Sequence, residues 1–380
     1  MAHHRTTHFA RLLCLMTLVA ILMPVAALAA APGKVRADPS QTRLPRVMVE
    51  GERLIAGGTP FEVRGVNYTH TTTTPPGCPE LHFGADSRCP WDQAAIDADF
   101  ERMRALGVNT VRVFLNYYVF GGARADAPGY AIEPALDHLE ALVESANRHG
   151  IYVMPVLLAK YPQDQFTPEG FARALDWHVR PVVGLLAGKS GILAWDLFNE
   201  PDIGSPIDQR CWDWDNRDFP LCVQLAEARI AFLTRLHYEV KWIDPLQMTT
   251  IGMAFAKSYF RPEAVPSPLA GLVDVYSFHY YDDDPYDSGR YVAHWYYGEG
   301  LPRDLERGIA ELRALGRDKP VVVSELGFPS GQGYRRDTGE LRRDLRIGLQ
   351  ASRDAGATGV ILWPFQPTPE ELVGDLFTAP

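Results

Sequence analysis

Short apolar runs alternate with longer amphipathic segments along most of the chain. Runs of about four to eight apolar residues are typical of buried strands, and apolar positions three and four apart are typical of helices. The predicted strands are Phe61–Asn67, Asn109–Leu115, Ile151–Leu158, Ile192–Phe198, Met248–Met253, Leu272–His279, Pro320–Ser324 and Gly359–Trp363. The predicted helices are Asp92–Leu106, Ile132–Arg148, Phe171–Leu186, Val223–Lys241, Pro302–Leu315 and Glu340–Ala355. This alternation predicts an α/β fold, a (β/α)8 TIM barrel of parallel strands.

The segment VMVEGERLIAGGTPFEVRGVNY, from Val47 to Tyr68, precedes the first helix. Its apolar and polar residues alternate around glycine turns, which predicts a short N-terminal β-hairpin that runs into the first barrel strand. We expect this hairpin to close the bottom of the barrel. Because no internal repeat or low-complexity tract interrupts the pattern, residues 46–380 are predicted to form a single domain.

Residues 1–30 have the features of a secretory signal peptide. Two arginines precede the apolar segment Leu12–Leu28, and small residues follow it, with cleavage expected near Ala29. An uncleaved membrane anchor is the alternative, which Pro24 disfavours because it interrupts the apolar run. Residues 31–45 are predicted to be a polar linker. The sequence thus predicts a secreted or periplasmic protein without membrane association after cleavage.

The mature chain is acidic. Loss of the signal peptide leaves 35 of the 37 basic residues against 47 acidic residues, a net charge of about −12. This charge disfavours nucleic acid and anionic surfaces as partners, whereas a neutral glycan is not repelled. With 46% hydrophobic residues, the chain has enough apolar surface for the large core of one barrel. We expect the protein to be a monomer.

Four cysteines remain after signal cleavage: Cys78, Cys89, Cys211 and Cys222. An even number of cysteines in an exported chain is typical of disulfides. Each near pair encloses ten residues, so we expect two local disulfides, Cys78–Cys89 and Cys211–Cys222, each of which fixes a loop. A zinc site is the alternative, which is disfavoured because no Cys-x-x-Cys spacing occurs.

Two glutamates stand at the ends of predicted strands. Glu200 follows the apolar run in ILAWDLFNEP, and Glu325 follows the β-branched run in PVVVSELG. The carboxyl ends of barrel strands form the mouth of the barrel, so both carboxylates are expected there. Asn-Glu-Pro by itself is equally typical of a simple turn. A pair of strand-end carboxylates, however, is what glycoside hydrolysis needs, one as acid and one as nucleophile or base.

The ordered motifs WDLFNEP and VVVSELG resemble those of glycoside hydrolase family 5, which belongs to a clan of retaining (β/α)8 glycosidases. The resemblance extends from about Met48 to about Gln366. It implies that Glu200, at the end of the fourth strand, is the acid/base and that Glu325, at the end of the seventh, is the nucleophile. In retaining enzymes the two carboxyl groups lie about 5 to 5.5 Å apart, which is the separation we expect here.

The residues around this pair also match the family. Arg112 is a charge within an apolar strand, where burial is costly unless the charge is paired. The resemblance implies that Arg112 keeps Glu325 ionised; a structural ion pair elsewhere is the alternative. It further implies that Asn199 binds the 2-hydroxyl of the sugar. The alternative for Asn199 is a simple turn-forming residue.

Strands six and eight supply three further candidates. His279 and Tyr281 form a His-x-Tyr pair on one face of a strand, and the resemblance places them near the acid/base and the nucleophile. Trp363 is similarly expected to form a platform for a sugar ring, with a place in the ordinary core as the alternative. One departure concerns the end of the third strand, where many members of the family have a histidine and this chain has Lys160 and Tyr161.

The resemblance implies a retaining β-glycoside hydrolase that needs no metal or organic cofactor. The carbohydrate substrate favoured by VSELG and the His-x-Tyr pair is β-1,4-glucan, which predicts an endo-β-1,4-glucanase of the cellulase type. GVNY and WDLFNEPD are also common in β-mannanases, and β-glucosidase and β-1,3-glucanase activities remain alternatives. In another class, a non-catalytic carbohydrate-binding barrel would usually lack one of the glutamates or the arginine, all of which are present.

Overall fold

The computed structural model of the protein describes residues 43–75, 78, 83–84, 89–120, 132–202, 220–261, 265–281, 297–328, 336–363 and 373–378. The predicted signal peptide and almost all of the predicted linker lie outside these ranges, so the division of the amino terminus stays a prediction. Within these ranges, no helix has both the length and the apolar character needed to cross a bilayer.

Three short antiparallel strands precede the barrel: β1 (Val47–Glu50), β2 (Arg53–Ala56) and β3 (Thr59–Pro60). The predicted N-terminal hairpin is confirmed, and the third strand extends it. Val47 and Leu54 are buried, and they pack in one cluster with Val63, Tyr152 and Met248 at the amino ends of barrel strands. The small sheet therefore covers the amino-terminal end of the barrel.

Eight parallel strands form a closed barrel, which confirms the predicted fold class. The barrel strands are β4 (Val63–Asn67), β5 (Thr110–Asn116), β6 (Tyr152–Ala159), β7 (Trp195–Asn199), β8 (Thr249–Met253), β11 (Tyr276–Tyr281), β12 (Val321–Gly327) and β13 (Gly359–Leu362). Between β8 and β11, the strands β9 (Phe260–Arg261) and β10 (Val265–Pro266) form a small separate hairpin. Neighbours in the barrel follow chain order, and β13 pairs with β4 to close it. Most residues in these strands are buried, because one face meets the barrel interior and the other meets helices.

Helices alternate with the barrel strands and cover them. They are α1 (Gln93–Ala105), α2 (Glu133–Arg148), α3 (Pro168–Ala174), α4 (Arg180–Leu186), α5 (Pro220–Ile243), α6 (Pro268–Leu272), α7 (Arg303–Ala314) and α8 (Thr338–Asp354). Side chains mark their starts: Asp92 accepts a hydrogen bond from the backbone N–H of Ala95, and Asp337 forms a capping box with Glu340. These caps agree with the predicted helix positions to within a few residues.

Several strand boundaries differ from the prediction. β7 begins at Trp195, because Ile192 makes only a single bridge, with Val153. β11 begins at Tyr276, because the preceding apolar segment forms α6. β12 continues beyond Ser324 to Gly327, so the glutamate expected after this strand is part of it.

Cys78 and Cys89 form a disulfide, as predicted, with their Cα atoms 5.7 Å apart. The bond closes a loop between β4 and α1. Cys222, near the start of α5, is also disulfide-bonded. Its predicted partner, Cys211, lies outside the described residues, so this pairing stays a prediction.

Candidate active site

Polar side chains from five barrel strands meet at the carboxyl-terminal mouth of the barrel. They are Asn67 of β4, Arg112 of β5, Asp196 and Asn199 of β7, His279 and Tyr281 of β11, and Glu325 of β12, and Glu200 follows β7 directly. In the strand register His279 lies beside Glu325, and the register shifts just before His279. Another shift separates Asp196 from Asn199. Such irregularities at the rim of a barrel redirect side chains towards the mouth.

Arg112 is fully buried and forms the centre of the polar network. Its Nε and Nη2 lie 2.9 and 2.8 Å from Asp196 Oδ2, and its Nη1 donates to Glu325 Oε1 at 2.5 Å. Nη1 also donates to Asn67 Oδ1 at 3.1 Å, and Nη2 donates to Asn199 Oδ1 at 2.9 Å. Burial lowers the pKa of Arg112, but the two carboxylates outweigh this effect and raise it above its usual value. The guanidinium therefore stays a cation between two acids.

Glu325 is only 4% exposed, and both of its carboxylate oxygens have donors. Arg112 donates to Oε1, and the Tyr281 hydroxyl donates to Oε2. Burial and the nearby Glu200 carboxylate raise the pKa of the Glu325 carboxyl above its usual value, and the Arg112 cation and the Tyr281 hydrogen bond limit that rise. The two donors also fix the orientation of the carboxylate within the mouth.

Glu200 has a left-handed backbone conformation, with φ 48°. For a residue other than glycine this costs about 1–3 kcal/mol, and it persists only where the surrounding structure holds it. Here the backbone N–H of Glu200 donates to Gly252 O at 2.7 Å. The side chain remains 24% exposed, so solvent reaches it. Burial raises the pKa of Glu200 to about 7 against the opposing charge of Arg112, so the carboxyl is still partly protonated at neutral pH.

His279 is buried between the two glutamates. Its Nδ1 lies 2.7 Å from Glu200 Oε1, and its Nε2 lies 3.5 Å from Glu325 Oε1. Burial lowers the pKa of His279 to about 4, although the Glu325 charge opposes this shift. The ring is therefore neutral at pH 7, with one nitrogen as donor and the other as acceptor.

A carboxylate oxygen of Glu200 lies within 4.8 Å of one of Glu325, and a ring nitrogen of His279 lies within the same distance of both. Carboxyl groups in retaining glycosidases are about 5–5.5 Å apart, whereas those in inverting enzymes are about 6.5–9.5 Å apart. The three residues are of types that bind metal ions, but the Arg112 guanidinium pairs with Glu325 and would repel a divalent cation placed beside that carboxylate.

Aromatic side chains border the polar network. The Tyr281 ring packs so closely over Gly327 that a Cβ at that position would lie 2.7 Å from its Cε1. Trp363 follows β13, and its ring meets Phe114 edge to face with centroids 5.6 Å apart. The Arg112 guanidinium in turn lies 4.8 Å from the centroid of the Phe114 ring. Trp363 is partly exposed beside these residues and is not a fully buried core residue.

The network includes residues that sequence analysis did not select. Asp196 accepts a hydrogen bond from the Gly252 N–H at 2.8 Å as well as pairing with Arg112. A Cβ on Gly252 would lie only 2.6 Å from Arg112 Nη2 and 2.8 Å from Asp196 Oδ2. Asn67 donates to Ser324 O at 2.9 Å. Asp196 shares with Arg112 the signal that could have revealed it, a charge within an apolar strand.

The residues after β6 lie where many family members have a histidine. Lys160 is exposed and has a left-handed backbone conformation, with φ 52°. Tyr161 is buried against Tyr117 and Phe166, and its hydroxyl donates to Gln165 O at 2.8 Å. Tyr161 is thus part of an aromatic cluster outside the polar network.

The closed barrel and its polar mouth define a (β/α)8 enzyme architecture. Residues 55–366 match the family profile described as cellulase (glycosyl hydrolase family 5). The chain belongs to glycosyl hydrolase family 5, as its motifs predicted, and is a glycoside hydrolase.

Several solved structures that share the fold are named as mannanases or as a mannosidase. The chain is similar to a β-1,4-D-mannanase from Cryptopygus antarcticus, with TM-score 0.59, 16% identity, and coverage of 87% of this chain and 93% of that one. It is also similar to an exo-β-1,4-mannosidase from Opitutaceae bacterium strain TAV5, with TM-score 0.60 and 20% identity. That match covers 85% of this chain and 56% of the mannosidase chain. The β-mannanase from the blue mussel Mytilus edulis matches with TM-score 0.58 and 16% identity, over 88% of this chain and 95% of the mannanase chain. At these identities the likeness shows a shared fold.

Proposed function

We propose that Glu200 and Glu325 hydrolyse a β-linked glycan by double displacement, with retention of configuration at the anomeric carbon. The observation that supports this most strongly is the closeness of the two carboxyl groups in unequal surroundings. The pair shares one proton, which we assign to Glu200. Glu325 receives the hydrogen bonds of Arg112 and Tyr281, which stabilise its charged form.

In the first step the Glu325 carboxylate attacks the anomeric carbon, and the bond from that carbon to the glycosidic oxygen breaks. Glu200 gives its proton to the departing oxygen, which leaves as a sugar hydroxyl. The sugar is then held by an ester bond to Glu325, and Glu200 is a carboxylate. Arg112 and Tyr281 orient the attacking carboxylate, so little reorganisation is needed when the bond forms.

In the second step the Glu200 carboxylate takes a proton from water while the water oxygen attacks the anomeric carbon. The ester bond breaks, and Glu325 leaves as a carboxylate. A neutral His279 suits both states of Glu200: its Nδ1 accepts a hydrogen bond from the carboxyl group and, in the other tautomer, donates to the carboxylate.

Two residues at the mouth are proposed to contact the sugar directly. Asn199 has its side-chain oxygen held by Arg112, which fixes the orientation of an amide group next to Glu200. This supports its proposed role at the sugar 2-hydroxyl, a contact that strengthens in the transition state. The partly exposed Trp363 ring offers an aromatic face to the apolar C–H side of a pyranose.

The preferred substrate in this proposal is a β-1,4-glucan, cleaved internally as by a cellulase, which the VSELG motif and the His-x-Tyr pair support. The second candidate is β-mannan. It is favoured by the names of the structures that share the fold, a β-1,4-D-mannanase and a β-mannanase among them. No metal or organic cofactor is required for either reaction.

Export of the enzyme is also part of the proposal. The signal-like residues 1–30 and the Cys78–Cys89 disulfide support a secreted or periplasmic location, since disulfides persist in oxidising compartments. Mass spectrometry of the exported protein should find an amino terminus within a few residues of Ala29. A retained full-length chain would contradict this part of the proposal.

The direct test of function is a screen of the purified mature protein against β-1,4-glucan, β-mannan, β-1,3-glucan and aryl β-glycosides. We expect hydrolysis of at least one polysaccharide, with a mixture of oligosaccharides if cleavage is internal. Glu325→Ala is the matched inactive control, with a loss of at least about a thousandfold. Glycan binding without hydrolysis by the wild type would instead support a non-catalytic carbohydrate-binding barrel.

A further inference from the structure

A third buried acid lies two residues after Glu200. Asp202 is 2% exposed, and its carboxylate has three donors. Its Oδ1 accepts from the Ala254 N–H at 2.8 Å, and its Oδ2 accepts from the Phe255 N–H at 3.2 Å and from Ser258 Oγ at 2.5 Å. These hydrogen bonds offset part of the cost of burying the carboxylate, and burial still raises the pKa of Asp202 to about 6.

The hydrogen bonds of Asp202 continue a series that fastens the end of β7 to the end of β8. Asp196 Oδ1 accepts from the Gly252 N–H at 2.8 Å, and the Glu200 N–H donates to Gly252 O at 2.7 Å. Pro201 has no N–H to add, and the Asp202 side chain supplies the next attachments. The strained backbone of Glu200, with φ 48°, is therefore held on both sides.

We propose that Asp202 is a positioning residue that holds the turn of Glu200 in the orientation needed for proton transfer. This inference rests on the proposed acid/base role of Glu200. Without the Asp202 hydrogen bonds, the turn can relax and move the Glu200 carboxyl away from His279. A displacement of about 1 Å at a reacting group can cost about a hundredfold in rate.

A positioning role predicts that the loss depends on the leaving group. A sugar hydroxyl leaves only with a proton from Glu200, whereas an activated aryl group leaves without one. Because kcat/KM reports the first irreversible step, it isolates the step in which that proton is needed. General loss of folded protein would instead lower kcat/KM for both substrates by the same factor.

Asp274 provides a matched control at the opposite end of β8. Its Oδ2 accepts from the Thr249 N–H at 2.8 Å and from Thr249 Oγ1 at 3.2 Å, and it pairs with Lys241 Nζ at 2.7 Å. Asp274 therefore also fastens β8, but at the amino end of the strand. Asp274→Asn should cost stability without altering the turn of Glu200.

The experiment measures kcat/KM of the mature enzyme on an oligosaccharide and on an activated aryl β-glycoside of the same sugar. Asp202→Asn should lower the oligosaccharide value about a hundredfold and the aryl value less than about tenfold. Asp274→Asn should lower both by one common factor. Equal losses in Asp202→Asn, or the same selective loss in Asp274→Asn, would overturn the inference.

Two further variants keep the test decisive. Ser258→Ala removes one of the three donors while Asp202 stays, and it should produce a smaller selective loss even if Asp202→Asn fails to fold. An equal loss on both substrates in Ser258→Ala would count against the inference. Glu200→Gln should itself show strong dependence on the leaving group. If the loss in Glu200→Gln does not depend on the leaving group, the acid/base assignment fails. If the loss depends on the leaving group in Glu200→Gln but not in Asp202→Asn, only the positioning role of Asp202 fails.

Discussion

At the scale of single residues, the surroundings of Glu200 set the upper pH limit of the proposed reaction. Burial raises the pKa of Glu200 to about 7, and the protonated form is the proton donor. On an oligosaccharide substrate, kcat/KM should therefore fall as pH rises through about 7, because the donor is progressively lost. Glu200→Gln, assayed on an aryl β-glycoside, should lack this descending limb. Full activity of the wild type on the oligosaccharide at pH 9 would contradict the assignment.

Arg112 provides a second prediction, which concerns stability. Arg112→Met would leave Asp196 and Glu325 buried without their cation, so the free energy of unfolding at pH 7 should fall by about 3–5 kcal/mol. The loss should be smaller at pH 5, because burial raises the pKa of Glu325 and the unpaired Glu325 carboxylate can then bind a proton and become neutral.

Urea unfolding of the wild type and the variant at both pH values measures this difference. Arg112→Lys keeps the charge but not the forked geometry, and it should be intermediate at pH 7. A loss in Arg112→Met that is the same at pH 5 and pH 7 would mean that the carboxylates do not depend on the cation.

The individual residues of the site differ in how far the sequence reveals them. Arg112 is recognisable because a charge within an apolar strand must find a partner, and the family resemblance then suggests Glu325. The sequence does not reveal that Arg112 also joins Asp196, since the contact depends on how β5 and β7 face each other inside the barrel. Gly252 is less recognisable still, because its importance lies in the side chains that pass over it.

At the scale of elements, β8 must pass beneath the Arg112–Asp196 pair without a side chain at Gly252. A Cβ there would lie 2.6 Å from Arg112 Nη2, so Gly252→Ala should overpack the site. We expect a loss of about 1–3 kcal/mol in stability together with at least a tenfold loss in kcat/KM. Thermal unfolding and steady-state kinetics measure the two effects.

Gly184→Ala is the control for this prediction. Gly184 lies within α4, and a Cβ there would meet nothing within 4 Å. Alanine is the better helix former, so the control should be neutral or stabilised by up to about 1 kcal/mol, with unchanged kinetics. If both variants behave alike, the close packing over Gly252 has no functional consequence.

The strands were predictable as elements because each is a short apolar run between turn-forming residues. The residues at which the strands begin and end were harder to predict. Ile192 and Leu272 are as apolar as the strand residues that follow them, yet the first makes only a single bridge and the second ends α6. Continuation of β12 through Glu325 depends on pairing with β11 across a register shift, which the sequence does not display.

At the scale of the whole molecule, the Cys78–Cys89 disulfide should contribute to stability mainly by restricting the unfolded chain. A loop of this length corresponds to about 3 kcal/mol in the chain-entropy account. The double variant Cys78→Ser with Cys89→Ser should therefore unfold at lower urea concentration, in the absence of reductant, while the disulfide of Cys222 stays intact. An unchanged midpoint would mean that the bond adds nothing to folding.

The overall barrel was predictable because strand and helix patterns alternate regularly, and repeated right-handed connections leave few other topologies. The amino-terminal sheet was predictable from its alternating residues and glycine turns. What the pattern alone does not fix is which side chains meet inside the mouth, since this depends on the registers of strands distant in sequence.

The stereochemistry of azide rescue tests the central claim, the division of roles between Glu200 and Glu325, most directly. In Glu200→Ala the covalent intermediate on Glu325 should still form from an activated aryl β-glycoside, and azide needs no general base to attack it. We expect azide to restore turnover and proton NMR to identify the product as the β-glycosyl azide, with net retention. An α-glycosyl azide would contradict the proposed roles of the two glutamates.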